Sequence, residues 1–287
     1  MTSPDPTDVQ DFSHIVHPTD FTAGGEAAFA HALRLALATH GHFYLVHAEK
    51  LEIGEDADWA AFPGVRSTLT RWGLLAPDAA PTAVSEKLGL RVTKADVPDE
   101  DPTDAILRFT TENRCDLLVL ATHAREGLAR FLQGSIAESL ARRAKIPTLF
   151  LPVGHPGFVD AATGKASLRN ILLPIDLSTS SGYAASLAFR IADALDCGDT
   201  LLHALHVGTP EEMPTAAVDA RHESRLRRIL ADGSVVPRIL QTAAEIDADL
   251  IVMPTRGRDG LLDALRGSTT EQVLRQAGRP LLAVPVR

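Results

Sequence analysis

Cysteine is scarce: Cys115 and Cys197 are the only two in 287 residues, too few for a disulfide framework and without the spacing of a metal site. Both are expected as free thiols, buried or at helix ends. Aromatic residues make up 5% of the chain while hydrophobic residues make up 45%, so any core must be filled by aliphatic side chains. That is the composition of buried parallel strands and their covering helices. Positive charge is in deficit, with 28 Lys and Arg against 37 Asp and Glu for a formal net charge of −9. The balance excludes a nucleic-acid backbone as the main partner, which needs clustered cations, but leaves room for a small anion held by backbone groups. No segment approaches the roughly 18 consecutive apolar residues of a membrane helix. Met1 to Asp11 lacks the basic start and apolar stretch of a signal peptide, so a cytoplasmic protein without a membrane partner is the expectation. No Gly-x-Ser-x-Gly elbow, Walker lysine loop or Gly-x-Gly-x-x-Gly is found, and no catalytic constellation can be named.

What the chain has instead is a repeat of itself. Ile15-Val16-His17-Pro18-Thr19-Asp20 recurs as Leu172-Leu173-Pro174-Ile175-Asp176, and the stretch Asp116 to Gly127 recurs as Asp249 to Gly260. Pro18 and Pro174 are 156 apart, and Leu45-Val46-His47-Ala48 falls on Leu201-Leu202-His203-Ala204 at the same offset. Asp116 and Asp249, Gly134 and Gly267, and Pro147 and Pro280 are 133 apart, so the first half carries about 23 extra residues, placed near 49–89. About 140 residues per half suits one compact domain each. The expected organisation is a first domain at 1–153, a linker at 154–168 rich in small residues, and a second domain at 169–287.

Each half reads as strands alternating with helices. In the first, strands are expected at His14 to His17 (stopped by Pro18), Phe43 to Ala48, Leu90 to Ala95, Leu117 to Ala121 and Pro147 to Val153. Helices are expected over Gly24 to His40 (ending at Gly41), from a cap at Asp101 or Thr103 to about Asn113, and over Ile136 to Ala144. The second half repeats this with strands near Ile171 to Ile175, at Leu201 to Val207, Leu250 to Pro254 and Leu281 to Val286. Its helices fall at Gly182 to Leu195, Val236 to Glu245 and Thr269 to Gln276. Its third strand is hidden: the offset maps Arg91 to Val97 onto Ser224 to Leu230, a charged stretch for which a helix is the competing reading. Parallel neighbours require crossovers, so the expected fold class is α/β, two tandem doubly wound five-stranded parallel sheets of flavodoxin-like order 3-2-1-4-5.

Ligands of such sheets bind beyond the carboxyl ends of the strands where strand order reverses. That rule singles out the loops after strand one, with Asp20 or Asp176, and after strand four. After strand four the second half reads Pro254-Thr255-Arg256-Gly257, nine residues, then Gly267-Ser268-Thr269-Thr270-Glu271. Glycine and hydroxyl residues at a helix start present free N–H groups and a positive dipole end to an anion, and Gly257 admits close approach. Ser268-x-x-Glu271 and Ser135-x-x-Glu138 also read as capping boxes, which explain the serine and glutamate but not the glycines. Arg256, Arg258 and Arg266 could neutralise phosphate or be solvated. His203 and His206, three apart on a strand, face opposite ways and do not suit one metal ion.

The strand-one Pro-x-Asp, the Leu-Val/Leu-His-Ala strand and the loop of the form Gly-x2-Gly-x9-Gly-Ser/Thr together resemble the universal stress proteins of the tandem type, from about His14 to Val286. The resemblance implies binding of an adenine nucleotide, ATP foremost, with Mg as its accompanying ion. The residues it points to are Asp176 and Ala204 at the adenine and ribose end and Thr255, Gly257, Gly267, Ser268 and Thr269 at the phosphates. In the first half Asp20, Gly134 and Ser135 stand at matching positions. There Ala121 and Ala124 replace two motif glycines, whereas in the second half only Pro254 departs, so binding is expected mainly in the second half. The carboxylates at 20 and 176 could equally tie their own loops by capping N–H groups. A regulatory nucleotide switch with at most slow hydrolysis is the expected function; a scaffold with decayed sites is the alternative. The resemblance also implies pairing through the apolar closing strands, as an intramolecular pseudo-dimer and a homodimer.

Overall fold

The computed structural model describes residues 12–48, 64–99, 101–122, 140, 143–176, 181–214, 218–256 and 269–286. They form two compact units, Phe12–Ala166 and one built on Ser167–Arg287. The first unit contains β1 (His14–Thr19), α1 (Glu26–Ala38), β2 (His42–His47), α2 (Val65–Arg71), α3 (Ala83–Leu88), β3 (Arg91–Asp96), α4 (Pro102–Glu112), β4 (Leu117–Thr122) and β5 (Thr148–Pro152). The second contains β6 (Asn170–Pro174), α5 (Gly182–Ala194), β7 (Leu201–Val207), β8 (Leu226–Ala231), α6 (Val235–Glu245), β9 (Leu250–Arg256), α7 (Thr269–Gln276) and β10 (Leu281–Val286). Strands run parallel in the order β3-β2-β1-β4-β5 in one and β8-β7-β6-β9-β10 in the other, which is 3-2-1-4-5 in both. Among the described residues, no helix is long and apolar enough to cross a membrane.

The repeated Asp-Leu-Leu/Ile-Val has a physical cause. Asp116 accepts hydrogen bonds from the backbone N–H groups of Ser13 and His14 at 2.9 and 3.0 Å, and Asp249 does the same for Arg169 and Asn170 at 2.7 and 2.9 Å. One carboxylate at the start of strand four thus holds the entry to strand one in each unit. The four long crossover helices also end alike. Gly41, Cys115, Cys197 and Ala248 each donate an N–H to a carbonyl five residues back, and the residue before each is left-handed: His40, Arg114, Asp196 and Asp247, with φ between 47° and 59°. These are Schellman ends without the usual glycine. Gly41 itself is required for another reason: a Cβ there would lie 2.2 Å from the Ser13 carbonyl oxygen.

Strand pairing corrects the repeat register. His14 pairs with His42 and Asn170 with Leu201, so His47 corresponds to His206 and the offset in this strand is 159, not 156. With Asp116 and Asp249 still 133 apart, the first unit is longer by 26 residues beyond this strand. Phe43 pairs with Val92 and Leu202 with Leu226, an offset of 134, so the mapping of Arg91 onto Ser224 is one residue out. A slip of one reverses every face assignment along a strand. The stretch is nonetheless a strand, as the repeat predicted, preceded by a 3-10 segment at Ala220–Arg225.

Two other boundaries differ. β1 continues through Pro18 to Thr19 because its ladder to β4 ends at Val16 and Leu118, so no partner on that side needs the missing N–H. The segment 154–166, expected as linker, folds back within the first unit. The backbone N–H groups of Phe158 and Val159 donate to Nε2 of buried His31 at 2.9 and 3.0 Å, and Trp72 Nε1–H donates to the Ala161 carbonyl at 3.0 Å. Trp72 belongs to the insertion, part of whose work is therefore to dock this segment. The helix expected over 136–144 lies largely outside the described residues.

Candidate nucleotide crevice

In the second unit β6 and β9 are paired only at Ile171–Leu250 and Leu172–Ile251, although β9 runs on to Arg256 beside β10. Past the last rung the two central strands carry no mutual hydrogen bonds, and this is the reversal point of strand order. Pro254 and Thr255 lie on that free stretch, where a proline costs no ladder bond to β6. Thr255 is buried, and among the described residues its Oγ1 has no hydrogen-bond partner. In the first unit the equivalent hydroxyl, of Thr122, donates to the Leu151 carbonyl, a long bond at 3.4 Å. Among the described residues, one copy leaves a buried donor unmatched where the other does not.

The corrected register brings His206 to the carboxyl end of β7. Its Nδ1–H donates to the Ile175 carbonyl at 3.2 Å, and Nε2 is buried without a partner among the described residues. Gly208 passes close over it, since a Cβ there would lie 2.6 Å from Nε2. The loop is completed by Glu212, which accepts from the Thr209 N–H and hydroxyl; these bonds hold its carboxyl below the ordinary range. Asp176 is exposed at the end of β6, and Thr269 is the half-buried first residue of α7. Ala204, matched to the adenine position by the uncorrected offset, is instead fully buried within β7 opposite Leu173. The strand contains Leu202-His203 and Leu205-His206, and sequence matching chose the first pair; the helix-to-strand spacing before it was the signal that could have found the second. His203 bonds Asn170 Oδ1 at the other end of the strand, apart from His206. Among the described residues no group of three or more His, Cys, Asp and Glu could hold a metal ion. Gly257, Gly267 and Ser268, with Arg258 and Arg266, lie outside the described residues, as do Gly134, Ser135 and Ala124.

In the first unit the loop after β1 is tied to itself and to the end of β2. Asp20 accepts from the Thr22 N–H at 3.0 Å and the Thr22 hydroxyl at 2.8 Å, an Asx turn. Phe21, left-handed at φ 58°, lays its ring 4.3 Å from that of His47, whose Nδ1–H donates to the Thr19 carbonyl at 2.9 Å. His17, fully buried with Nδ1–H donating to the Val119 carbonyl, is driven by burial to a pKa of about 4 and is neutral at pH 7. Cys115 is no nucleophile, since burial first and Asp116 second push its thiol up to about 12.

A doubly wound α/β unit present twice, each with its crevice between strands one and four, defines the class. A family model, the universal stress protein family, matches residues 11–152 and 216–285, and the chain belongs to that family. A universal stress protein of Mycobacterium tuberculosis is 27% identical over 254 residues, covering 79% of this chain and 83% of that protein. One from Methanocaldococcus jannaschii is 25% identical over 140 residues, covering 48% of this chain and 81% of its own. The crystal structure of a universal stress protein from Archaeoglobus fulgidus matches with a TM-score of 0.63 at 18% identity, covering 96% of this chain and 99% of that chain. That likeness is one of fold.

Proposed function

We propose that the second unit binds an adenine nucleotide, ATP foremost, and that occupancy acts as a switch in a stress response. The observation that carries this reading is the Thr255 hydroxyl, buried at the reversal point without a partner among the described residues, whereas the equivalent hydroxyl of the first unit is bonded. A buried polar group left unmatched costs about 1–3 kcal/mol, a cost that a phosphate or ribose oxygen would remove. On this reading Thr255 and the start of α7 at Thr269 face the phosphates, with Gly257, Gly267 and Ser268 supplying backbone N–H groups by the family pattern. Asp176 and the His206–Gly208 turn face the ribose and adenine, with Val207 in the place first given to Ala204. The first unit, where Ala121 and Ala124 replace two motif glycines, is the weaker site, with Asp20, Gly134 and Ser135 at the matching positions. No nucleophile is required, so hydrolysis is at most slow. Association with a second copy belongs to the same proposal, and a doubled mass in light scattering is its expected sign.

The test is retention and titration. The purified chain is denatured and its released small molecules identified, and ATP is titrated into the nucleotide-free chain and into Gly267→Val. Saturable binding lost in the variant is expected. A chain that releases no nucleotide and shows no saturable ATP binding would instead be a scaffold, the reading that Ala121, Ala124 and Pro254 favour.

A further inference from the structure

The insertion builds a second cavity, away from the strand carboxyl ends. Helices α2 and α3 and the strand β3 enclose a cleft of about 650 Å³, within the range of small-molecule sites. Its floor is apolar, with Val65, Val84 and Leu90 all buried. Among the described residues its charged lining is Arg66, Arg91 and Lys94, with no carboxylate, in a chain of net charge −9. Arg66 is held at the wall by donating to the Ala79 carbonyl. His42, also lining the cleft, is tied to Thr93 Oγ1 at 2.7 Å, and burial, then Arg91, then His14 lower its pKa, so it adds a neutral ring at pH 7.

The strand contributes backbone as well. Arg91 N–H donates to the Gly41 carbonyl and Val97 N–H to the His47 carbonyl, so by alternation the N–H groups of Val92 and Lys94 point away from β2, along the unpaired edge of β3, and both residues line the cleft. Cations at a sheet edge can serve only to block unwanted pairing. Edge protection accounts for Arg91 and Lys94; it does not account for a third cation contributed by α2 above an apolar floor. Among the described residues the second unit has no counterpart of α2 and α3, so the cleft is a property of the insertion.

We propose that this cleft binds an amphipathic anion, an aliphatic carboxylate whose tail lies on Val65, Val84 and Leu90 and whose head is taken by the guanidinium groups of Arg66 and Arg91. Guanidinium matches carboxylate in geometry and gives strong charge-assisted hydrogen bonds, while the apolar floor selects against a bare ion. The site is independent of the nucleotide crevice.

Calorimetric titration of the full chain with decanoate, at saturating ATP to occupy the crevice, tests this directly. The expected result is one saturable decanoate per chain, with acetate and decyltrimethylammonium both failing to bind. Arg66→Glu with Arg91→Glu weakens decanoate tenfold or more, and the corresponding pair of lysine substitutions, which keeps charge and fold, retains measurable binding. Absence of saturable binding overturns the proposal, as does undiminished affinity in the glutamate pair or equal binding of the ammonium probe. ATP affinity measured on the same variants stays unchanged, which separates failure here from failure of the nucleotide reading.

Discussion

His31 is held neutral by two opposite demands. Its Nδ1–H donates to the Ala27 carbonyl at 2.7 Å, and Nε2 must stay unprotonated to accept from Phe158 and Val159. Burial lowers its pKa to about 4, with His155 adding to the effect. His17 is lowered to about 4 as well, again chiefly by burial. A histidine whose folded pKa lies below its unfolded value of about 6.5 is protonated first in the unfolded chain. Its stabilisation is therefore complete above pH 6.5 and is lost as pH falls towards 4. At pH 5 the expected loss is about 2 kcal/mol for each of the two residues. Both tryptophans, Trp59 and Trp72, belong to the first half, so the urea midpoint followed by tryptophan fluorescence reports that unit alone. His31→Leu should cost about 3 kcal/mol at pH 7, because two buried N–H groups lose their acceptor, and the gap from wild type should narrow towards pH 5. A gap that does not change with pH would rule out the titration of His31 as its source.

At the scale of elements, the helix ends and the docked segment carry separate predictions. Four crossover helices place a non-glycine residue in the left-handed region, at a cost on the order of 1 kcal/mol each. Arg114→Gly is expected to raise the first unit's stability by about 0.5 kcal/mol, the relief of strain being offset in part by a freer unfolded chain. Gly164→Ala acts oppositely. Gly164 has φ +71°, and a Cβ there would lie 2.4 Å from the Trp72 ring, so the segment at 154–166 should lift off and its cleavage by protease should accelerate. Most elements were legible because apolar periodicity and capping are local: Asp101 does cap α4 by accepting from the Thr103 N–H at 2.8 Å, and α7 spans Thr269–Gln276 as predicted. Register was less legible. Two Leu-His pairs in one strand offered two alignments three residues apart, and only the pairing of β6 with β7 distinguishes them. The docked segment was illegible because small residues read as linker whether or not a distant histidine and tryptophan receive them.

For the molecule as a whole, duplication supplies its own control, and the two copies should separate under one matched substitution. Thr255 and Thr122 occupy the same place in their units, but among the described residues the Thr255 hydroxyl is buried without a partner whereas that of Thr122 is bonded. Thr255→Val removes an unmatched polar group, so the nucleotide-free protein should become more stable by about 1 kcal/mol. The same change deletes a donor to an anionic ligand, a charge-assisted bond worth about 1.5–3 kcal/mol, so ATP affinity should fall by roughly tenfold or more. Thr122→Val should leave ATP affinity unchanged and cost the first unit at most about 1 kcal/mol for its long hydrogen bond. Opposite signs of stability and affinity in a single variant are the signature of a hydroxyl kept for a ligand, because a structural hydroxyl loses both or neither. Scanning calorimetry with and without ATP, together with the bound stoichiometry, measures every part of this. One nucleotide per chain with the Thr255 response is expected; two nucleotides per chain, or an ATP response that follows Thr122, would place the switch in the other copy.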